Sequence, residues 1–503
     1  MVFLLFWIIN TLQRYDVWLQ SEGAEGRIAV AVYSPLEERK RYKSGAPIGI
    51  YIPGADDKGN LNNPFPLLED IIGISFLFPG GKDPLTGRES DGIYDHRGMN
   101  CIKALRDVIK YATGKLKDVN GKYLNELIPV NPLYENVGIV GSSNGGNIAI
   151  VTLGLFGDEA EISWYVGWEN PAGEQFVTVD LGSFSEPNPR YIPYSGRITE
   201  NGIICDVDYR DLKFDPDAIH PKKHYQGVLY HDLNSNDVFD KGIDYALGAI
   251  EGIFEGNLKW VHSTEALKAA KGKGLPDPLG PDFASLEEAR EFWKIRDLSK
   301  MFDSVIIKNP ELKVILIGTE VDHVQGTPDY PHIVLHYQGW NTRGIQWIRL
   351  LPDSCYVAYV AKQNLKAKDN NANEDITLYN IIEFLQPEEV SDKYSISAAI
   401  LELSDRVYFN RWEENLQNVL TGIKEENITS TSIIKKEFNS FVLYLPYKKP
   451  ISITLFDITG RKIKEFKNQK KKKLLIHNVP SGVYLLKIEG KNINQIKKVL
   501  ILE

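Results

Sequence analysis

Through the first 180 residues, short apolar runs rich in β-branched side chains alternate with stretches whose apolar positions recur at helical spacing. Arg27–Tyr33, Pro47–Ile52, Ile72–Phe78, Val137–Val140 and Ile162–Val166 read as buried strands. Between them, Met99–Leu116 sets Ile102, Leu105, Val108, Ile109, Tyr111 and Ala112 along one side of a helix, and a second helix runs to Leu155. Strands alternating with helices predict an α/β fold with a mostly parallel sheet covered on both faces. The pattern resumes late in the chain. Lys313–Thr319 reads as a buried strand, Pro328–Trp340 as a helix and Gln346–Leu351 as a last strand. The intervening Leu181–Ser299 is too long for a connecting loop and is expected to form a unit of its own.

Beyond Lys362 the text changes. Asp369–Asp375 is polar and reads as a loop, and no element is assigned from there to Lys424. Short alternating strands follow at Phe441–Leu445, Ile451–Asp457, Lys473–His477, Gly482–Ile488 and Ile496–Leu502, which predicts a small all-β sandwich. At 503 residues the chain exceeds a single compact core. The expected division is residues 1–180 and 300–424 as two parts of one α/β core, 181–299 as an insertion and 425–503 as the sandwich. The apolar Met1–Ile9 is too short to span a bilayer and resembles the centre of a secretory signal, so it reads as a clipped leader or a buried first element.

Composition narrows the function classes. Hydrophobic content of 43% and charged content of 25% are those of a soluble globular protein. The net charge is −9, yet Thr431–Glu503 carries 16 Lys and Arg against 5 Asp and Glu, so the body is strongly acidic. An acidic body excludes nucleic acid as its partner. Cys101, Cys205 and Cys355 are far apart and make no Cys-x-x-Cys pattern, so they are expected as buried free thiols. Few Met and Cys residues with abundant Lys, Glu and Ile point to a thermophilic source.

The strongest chemical signal is Gly141-Ser142-Ser143-Asn144-Gly145, a Gly-x-Ser-x-Gly between a strand and a small-residue helix. A serine on so sharp a turn is pushed into the open, with the N–H of the next residue aimed at a developing oxyanion. In this order of elements the chain resembles the α/β-hydrolase superfamily, over Arg27–Asp180 and Lys313–Val360, and Gly145-Gly146 is similar to its esterase- and peptidase-like branches. The resemblance implies Ser143 as nucleophile, residues 181–299 as a cap or lid and an acid at the end of the late strand, where Asp322 stands. It places the base after the last strand, but Leu350–Tyr356 holds no histidine. His323 and His332 are the nearest candidates. Neighbours on an extended chain point in opposite directions, so Asp322 is expected to reach His332 rather than His323. Two triads follow: Ser143–His332–Asp322, or Ser143–His323 with Glu169 as the orienting acid. His336 reads as a helix-face residue. The oxyanion donors are expected at Asn144 and at Gly54 or Ala55, since Pro53 has no N–H; the loop Phe78–Gly81 is the alternative.

Two further segments carry meaning. Asp232, Asn234, Asn236 and Asp240 place oxygen ligands at positions one, three, five and nine of a loop, with the Val238 carbonyl at seven and Asp244 available beyond. That spacing resembles EF-hand-like calcium loops and predicts a structural calcium ion. In the tail, Ile453–Arg461, Val479–Tyr484 and the lysine-led Lys497–Ile501 resemble the C-terminal sorting domain of type IX secretion substrates. That resemblance implies a secreted or cell-surface protein that engages the secretion machinery. Together these readings predict a secreted serine hydrolase that cleaves carboxylic esters, polymeric ones included, through an acyl-enzyme. A serine peptidase of the same fold and a non-catalytic surface binding protein are the alternatives.

Overall fold

A computed structural model describes residues 12–37, 41–66, 68–318, 322–352, 392–410, 412, 435–437, 440–444, 451–457, 461–469, 473–477, 482–490 and 493–501. The expectations for Met1–Ile9 and Cys355 lie outside these residues. By contacts the chain forms two units, residues 1–361 with 371–410, and residues 362–370 with 411–503.

The first unit is built on an eight-stranded sheet. Its strands are β1 (Leu12–Ser21), β2 (Gly26–Pro35), β3 (Ala46–Ile52), β4 (Ile72–Phe76), β5 (Pro132–Ser142), β6 (Trp164–Trp168), Lys313–Gly318 and Trp347–Pro352. In space they run β1-β2-β4-β3-β5-β6, then Lys313–Gly318 and Trp347–Pro352. β1 and β2 pair antiparallel, β2 meets β4 antiparallel, and every later pair is parallel. This is the α/β-hydrolase architecture, with one strand, β1, that the sequence pattern did not show. β1 alternates polar and apolar residues in a half-exposed edge, where charge interrupts the apolar signal.

Helices α1 (Met99–Ala112) and α2 (Asn144–Phe156) contribute to the large core cluster against β3 and β5. Tyr165 belongs to that cluster, whereas its neighbour Trp164 turns to the opposite face, as strand alternation requires. There Trp164 Nε1 donates to Asn136 Oδ1 at 2.9 Å, and Asn136 Nδ2 donates to the Ser404 carbonyl at 2.8 Å. Ser404 belongs to helix Asp392–Phe409, which lay in the stretch left unassigned by its sequence. The helix buries Glu402 and Arg406, paired one turn apart at 3.0 Å, beside Ala399, Ile400 and Leu403. Charges inside the buried stripe hide its apolar period.

Residues 181–299 lie within the same contact unit as the sheet and carry a separate apolar cluster centred on Phe283, Phe292 and Trp293. Two helices there start on serine caps: Ser263 accepts from Ala266 N, and Ser285 with Glu288 forms a reciprocal capping box. The second unit holds two antiparallel sheets, of three and four strands. Its strand Lys462–Gln469 is too lysine-rich to stand out as a strand in the sequence.

Candidate active site

In a parallel sheet all strands end on one edge, with neighbours about 4.8 Å apart. β3, β5, β6 and Lys313–Gly318 therefore deliver Pro53–Ala55, Ser143, Glu169 and the loop of Asp322 to one rim. Ser143 sits there half-buried, with φ +46° and ψ −124°, between the end of β5 and the first turn of α2. A non-glycine residue holds such a backbone only when its surroundings over-determine it. Here they do. Ser143 N donates to the Trp168 carbonyl at 2.8 Å, and the Ser143 carbonyl accepts from Gly146 N and Asn170 Nδ2, each at 2.9 Å. Asn170 Nδ2 also meets the Gly141 carbonyl at 2.9 Å, while Tyr165 OH donates to its Oδ1 at 2.6 Å. A methyl group on Gly145 would collide with the carbonyls of Ile52 and Pro53, so glycine at this position lets α2 start against β3.

The same crowding brings the loop after β3 to the serine. A side chain on Gly54 would meet Ser143 Cβ at 2.9 Å. Ala55 has φ +49° and lines, with Asn144, a cavity of about 330 Å³. Among the described residues neither the Gly54 nor the Ala55 N–H has a hydrogen-bond partner. In the Phe78–Gly81 loop, by contrast, Gly80 N donates to Asp91 O at 3.1 Å and Gly81 N to Phe78 O at 2.9 Å. The loop of Gly54 is itself held by buried Arg97, whose Nη2 donates to the Pro53 carbonyl at 3.0 Å and the Asp57 carbonyl at 2.6 Å.

Asp322 lies buried with both candidate imidazoles against it. His323 Nδ1 is 2.9 Å from Oδ1, and His332 Nδ1 is 2.9 Å from Oδ2, the latter off the line of an ideal hydrogen bond. The expectation that Asp322 cannot reach His323 is corrected by the backbone. Residues 322–325 form a turn closed by Gln325 N on the Asp322 carbonyl at 3.1 Å, so adjacent side chains converge instead of alternating. Burial favours the neutral acid, but the two imidazoles override it and hold the Asp322 carboxyl well below the usual range. In turn the Asp322 hydrogen bond raises His323 above an ordinary histidine against partial burial, with Glu169 adding at longer range.

The two histidines differ in what their far nitrogens face. His332 Nε2 stands 2.5 Å from the Asn170 carbonyl, an acceptor only, so this nitrogen carries a hydrogen. The His332 side chain is 3% exposed, that of His323 73%. Among the described residues no hydrogen bond joins Ser143 Oγ to either ring. His336 is fully enclosed, and burial beside His332 pulls it down to about 3.

Two clusters could hold a cation. In the predicted calcium loop Asp232 accepts from the N–H groups of Asn236 and Asp237, at 3.2 and 3.0 Å. Asn234 Nδ2 and Asn236 Nδ2 converge on Asp240 Oδ2 at 2.7 and 2.6 Å, Val238 N donates to Asn236 Oδ1 at 3.0 Å, and Asp244 receives Leu233 N and Asp240 N. The loop thus gathers carboxylates and side-chain amides, the oxygen-bearing groups from which a calcium site could be built. The other cluster, Asp56, His96 and Glu251, escaped sequence reasoning because its members come from three distant segments. Their ligand atoms lie within 4.8 Å of one another on the wall of the cavity.

Comparison with known proteins adds one decisive match. Residues 439–502 match the family described as the secretion system C-terminal sorting domain. The tail is a secretion signal. The protein is therefore secreted or held at the cell surface, and its sorting tail engages the secretion machinery. No curated protein matches the chain. Similar solved structures include carboxyl esterase 2 from the mycorrhizal fungus Tuber melanosporum, at 9% identity over 68% of this chain and 76% of that one, TM-score 0.32. Esterase Est22 is similar at 11% identity over 74% and 81%, TM-score 0.35. A prolyl endopeptidase is similar at 16% identity over 33% and 23%, TM-score 0.23.

Proposed function

We propose that the protein is a secreted serine hydrolase that cleaves carboxylic esters through an acyl-enzyme on Ser143. The observation that carries this reading is the strained Ser143 at the head of α2, beside the unpartnered N–H groups of Gly54 and Ala55. Ser143 Oγ attacks the ester carbonyl. The oxyanion is received by the N–H of Asn144 and that of Gly54 or Ala55, aided by the positive end of α2.

His323 is the base in this reading. Asp322 fixes its Nδ1, which leaves Nε2 to take the serine proton and return it to the leaving alcohol. Water then attacks the acyl-enzyme by the same route. His332, with Nε2 committed to Asn170, supports Asp322 from behind as a positioning residue. Glu169 acts on His323 through its field, not as the direct partner. The loop Asp232–Asp240 would hold calcium as a brace for residues 181–299.

The test is labelling by a fluorophosphonate probe together with hydrolysis of 4-nitrophenyl butyrate. Both are expected in the full chain, and both are expected to vanish in Ser143→Ala. An unlabelled wild-type serine would overturn the reading in favour of a non-catalytic binding protein, and turnover of peptides without esters would move it to a peptidase.

A further inference from the structure

The cavity of about 330 Å³ beside Asn144 and Ala55 is of a size for one small ligand, and it has two kinds of wall. One is apolar, with Ile148, Val177 and the half-buried ring of Trp260. The other is charged, and its charges cancel. Arg97, Arg296 and Lys223 are matched by Asp56, Glu251 and Asp95, whose carboxylate lies beside Arg296 at the head of α1. So balanced a wall favours a ligand with no net charge, since an ion would shed its water without a counter-charge to receive it.

Most of these groups are committed within the protein. Arg97 Nη2 holds the carbonyls of Pro53 and Asp57, and Arg296 bonds those of His96, Asp95 and Phe292. Asp56 accepts from Tyr94 OH at 2.7 Å and faces His96 Nδ1 at 2.8 Å. Two remain open. Glu251 stands 3.8 Å from His96 Nδ1, beyond hydrogen-bond reach, and no hydrogen bond reaches its carboxylate among the described residues. The Lys223 ammonium has neither a hydrogen bond nor an ion pair among them. Lys223 also acts on His323 through its field, which puts that end of the cavity within range of the base. Glu251 and Trp260 stand directly opposite one another in the hairpin of Ile250–Phe254 and Asn257–Val261, so their side chains share a face. A side chain on the next residue, Gly252, would strike Phe292, so Glu251 points away from that ring.

We infer that the cavity seats a neutral ring bearing several hydroxyls, so that the preferred substrates are esters of sugars. This inference rests on the hydrolase reading of the site and narrows its substrate class. A sugar ring presents apolar C–H faces that pack on an aromatic ring, and hydroxyls around its edge that call for donors and acceptors together. Trp260 offers the first, in a ring backed by Tyr225 at 4.3 Å between centroids. A carboxylate accepts from two adjacent hydroxyls at once, in charge-assisted bonds stronger than neutral ones, and an ammonium donates to a hydroxyl oxygen. Glu251 and Lys223 supply this pair without adding net charge. A plain hydrocarbon in the same place would strip water from both ions and return no bond. The sugar can carry the ester through a hydroxyl, as the alcohol, or through a carboxyl group, as the acid.

The experiment pairs each sugar ester with a ring of the same size that lacks the hydroxyls: 6-O-acetylglucose with cyclohexylmethyl acetate, and methyl glucuronate with methyl cyclohexanecarboxylate. Release of acid is followed in the full chain and in Glu251→Ala, Glu251→Gln and Lys223→Met. Wild type is expected to favour the sugar ester of at least one pair by about tenfold or more in kcat/KM, and the pair that shows it tells which side of the ester the sugar occupies. Glu251→Ala and Lys223→Met are expected to cut that preference to about threefold or less, mostly through KM, and Glu251→Gln to restore part of it. No preference in either pair, or one that the variants leave intact, would overturn the inference and leave the hydrolase reading standing. If no ester is turned over, binding decides, with Ser143→Ala titrated by methyl glucoside and by cyclohexylmethanol under saturation-transfer NMR. Selective binding of the glucoside, weakened in the Ser143→Ala, Glu251→Ala pair, supports the inference, whereas equal or absent binding of the two would overturn it.

Discussion

The turn at Ser143 and the turn at Asp322 sit on the same rim of the sheet and are built by opposite means. At Ser143 the backbone does the work. Its φ of +46° is fixed by β5, by α2 and by Asn170, whose amide bonds three carbonyls around the turn. At Asp322 side chains do the work: one carboxylate holds two imidazoles and sends one to solvent and one into the protein. A backbone device is tied to glycine spacing and can be read locally. A side-chain device depends on which turn the loop takes, and its two histidines look alike until their far nitrogens are seen.

The sharpest way to break this comparison is to remove each histidine in turn. His323→Ala is expected to lower kcat on 4-nitrophenyl butyrate by about 10³–10⁴-fold with little loss of stability. His332→Ala is expected to lower kcat by less than about tenfold, but to destabilise the fold by about 3 kcal/mol, because buried Asp322 loses its inward partner. Denaturant melts and steady-state rates on the two variants decide it, and the reverse pattern would transfer the base to His332.

Asp322→Asn comes next in size, at about 10³-fold in kcat. The raised His323 sets its pH dependence. The base acts when neutral, and the Asp322 carboxylate favours the imidazolium, so kcat/KM of the wild type rises with pH through a midpoint above that of an ordinary histidine. With the carboxylate gone, that limb is expected to move to lower pH; an unmoved limb in the pH–rate profile would separate His323 from the reaction.

Gly145→Ala tests the backbone side of the comparison. Its methyl group meets two carbonyls that cannot retreat without moving β3, so a loss of about 1–3 kcal/mol with a matching loss of fluorophosphonate labelling is expected. The smallest effect belongs to the loop Asp232–Asp240. Calcium is expected to raise the melting temperature by about 2–5 °C and EGTA to reverse it, with catalysis little changed. An unchanged melting curve in Asp240→Ala with and without calcium would remove the ion from the account.

Much of the frame is legible in the sequence alone. The runs that became β2 to β6 and the strand Lys313–Gly318 stand out because strands buried on both faces are apolar throughout, and the serine stands out because its turn demands glycine. The half-exposed β1, helix Asp392–Phe409 with Glu402 and Arg406 inside it, and strand Lys462–Gln469 were hidden for one reason: charges sit within each pattern. Their charges are answered by partners or solvent that a linear text does not show.

By itself the sequence determined the layered sheet, the glycine-flanked serine turn and the sorting tail, since each is written in local spacing that fixes local backbone geometry. Only the tertiary structure decided which histidine faces solvent, that Asn170 holds the serine turn, and that Arg97 and Arg296 line one cavity. Those depend on side chains from segments up to 200 residues apart meeting in low dielectric, where hydrogen-bond partners rather than neighbours in the chain set protonation and reach.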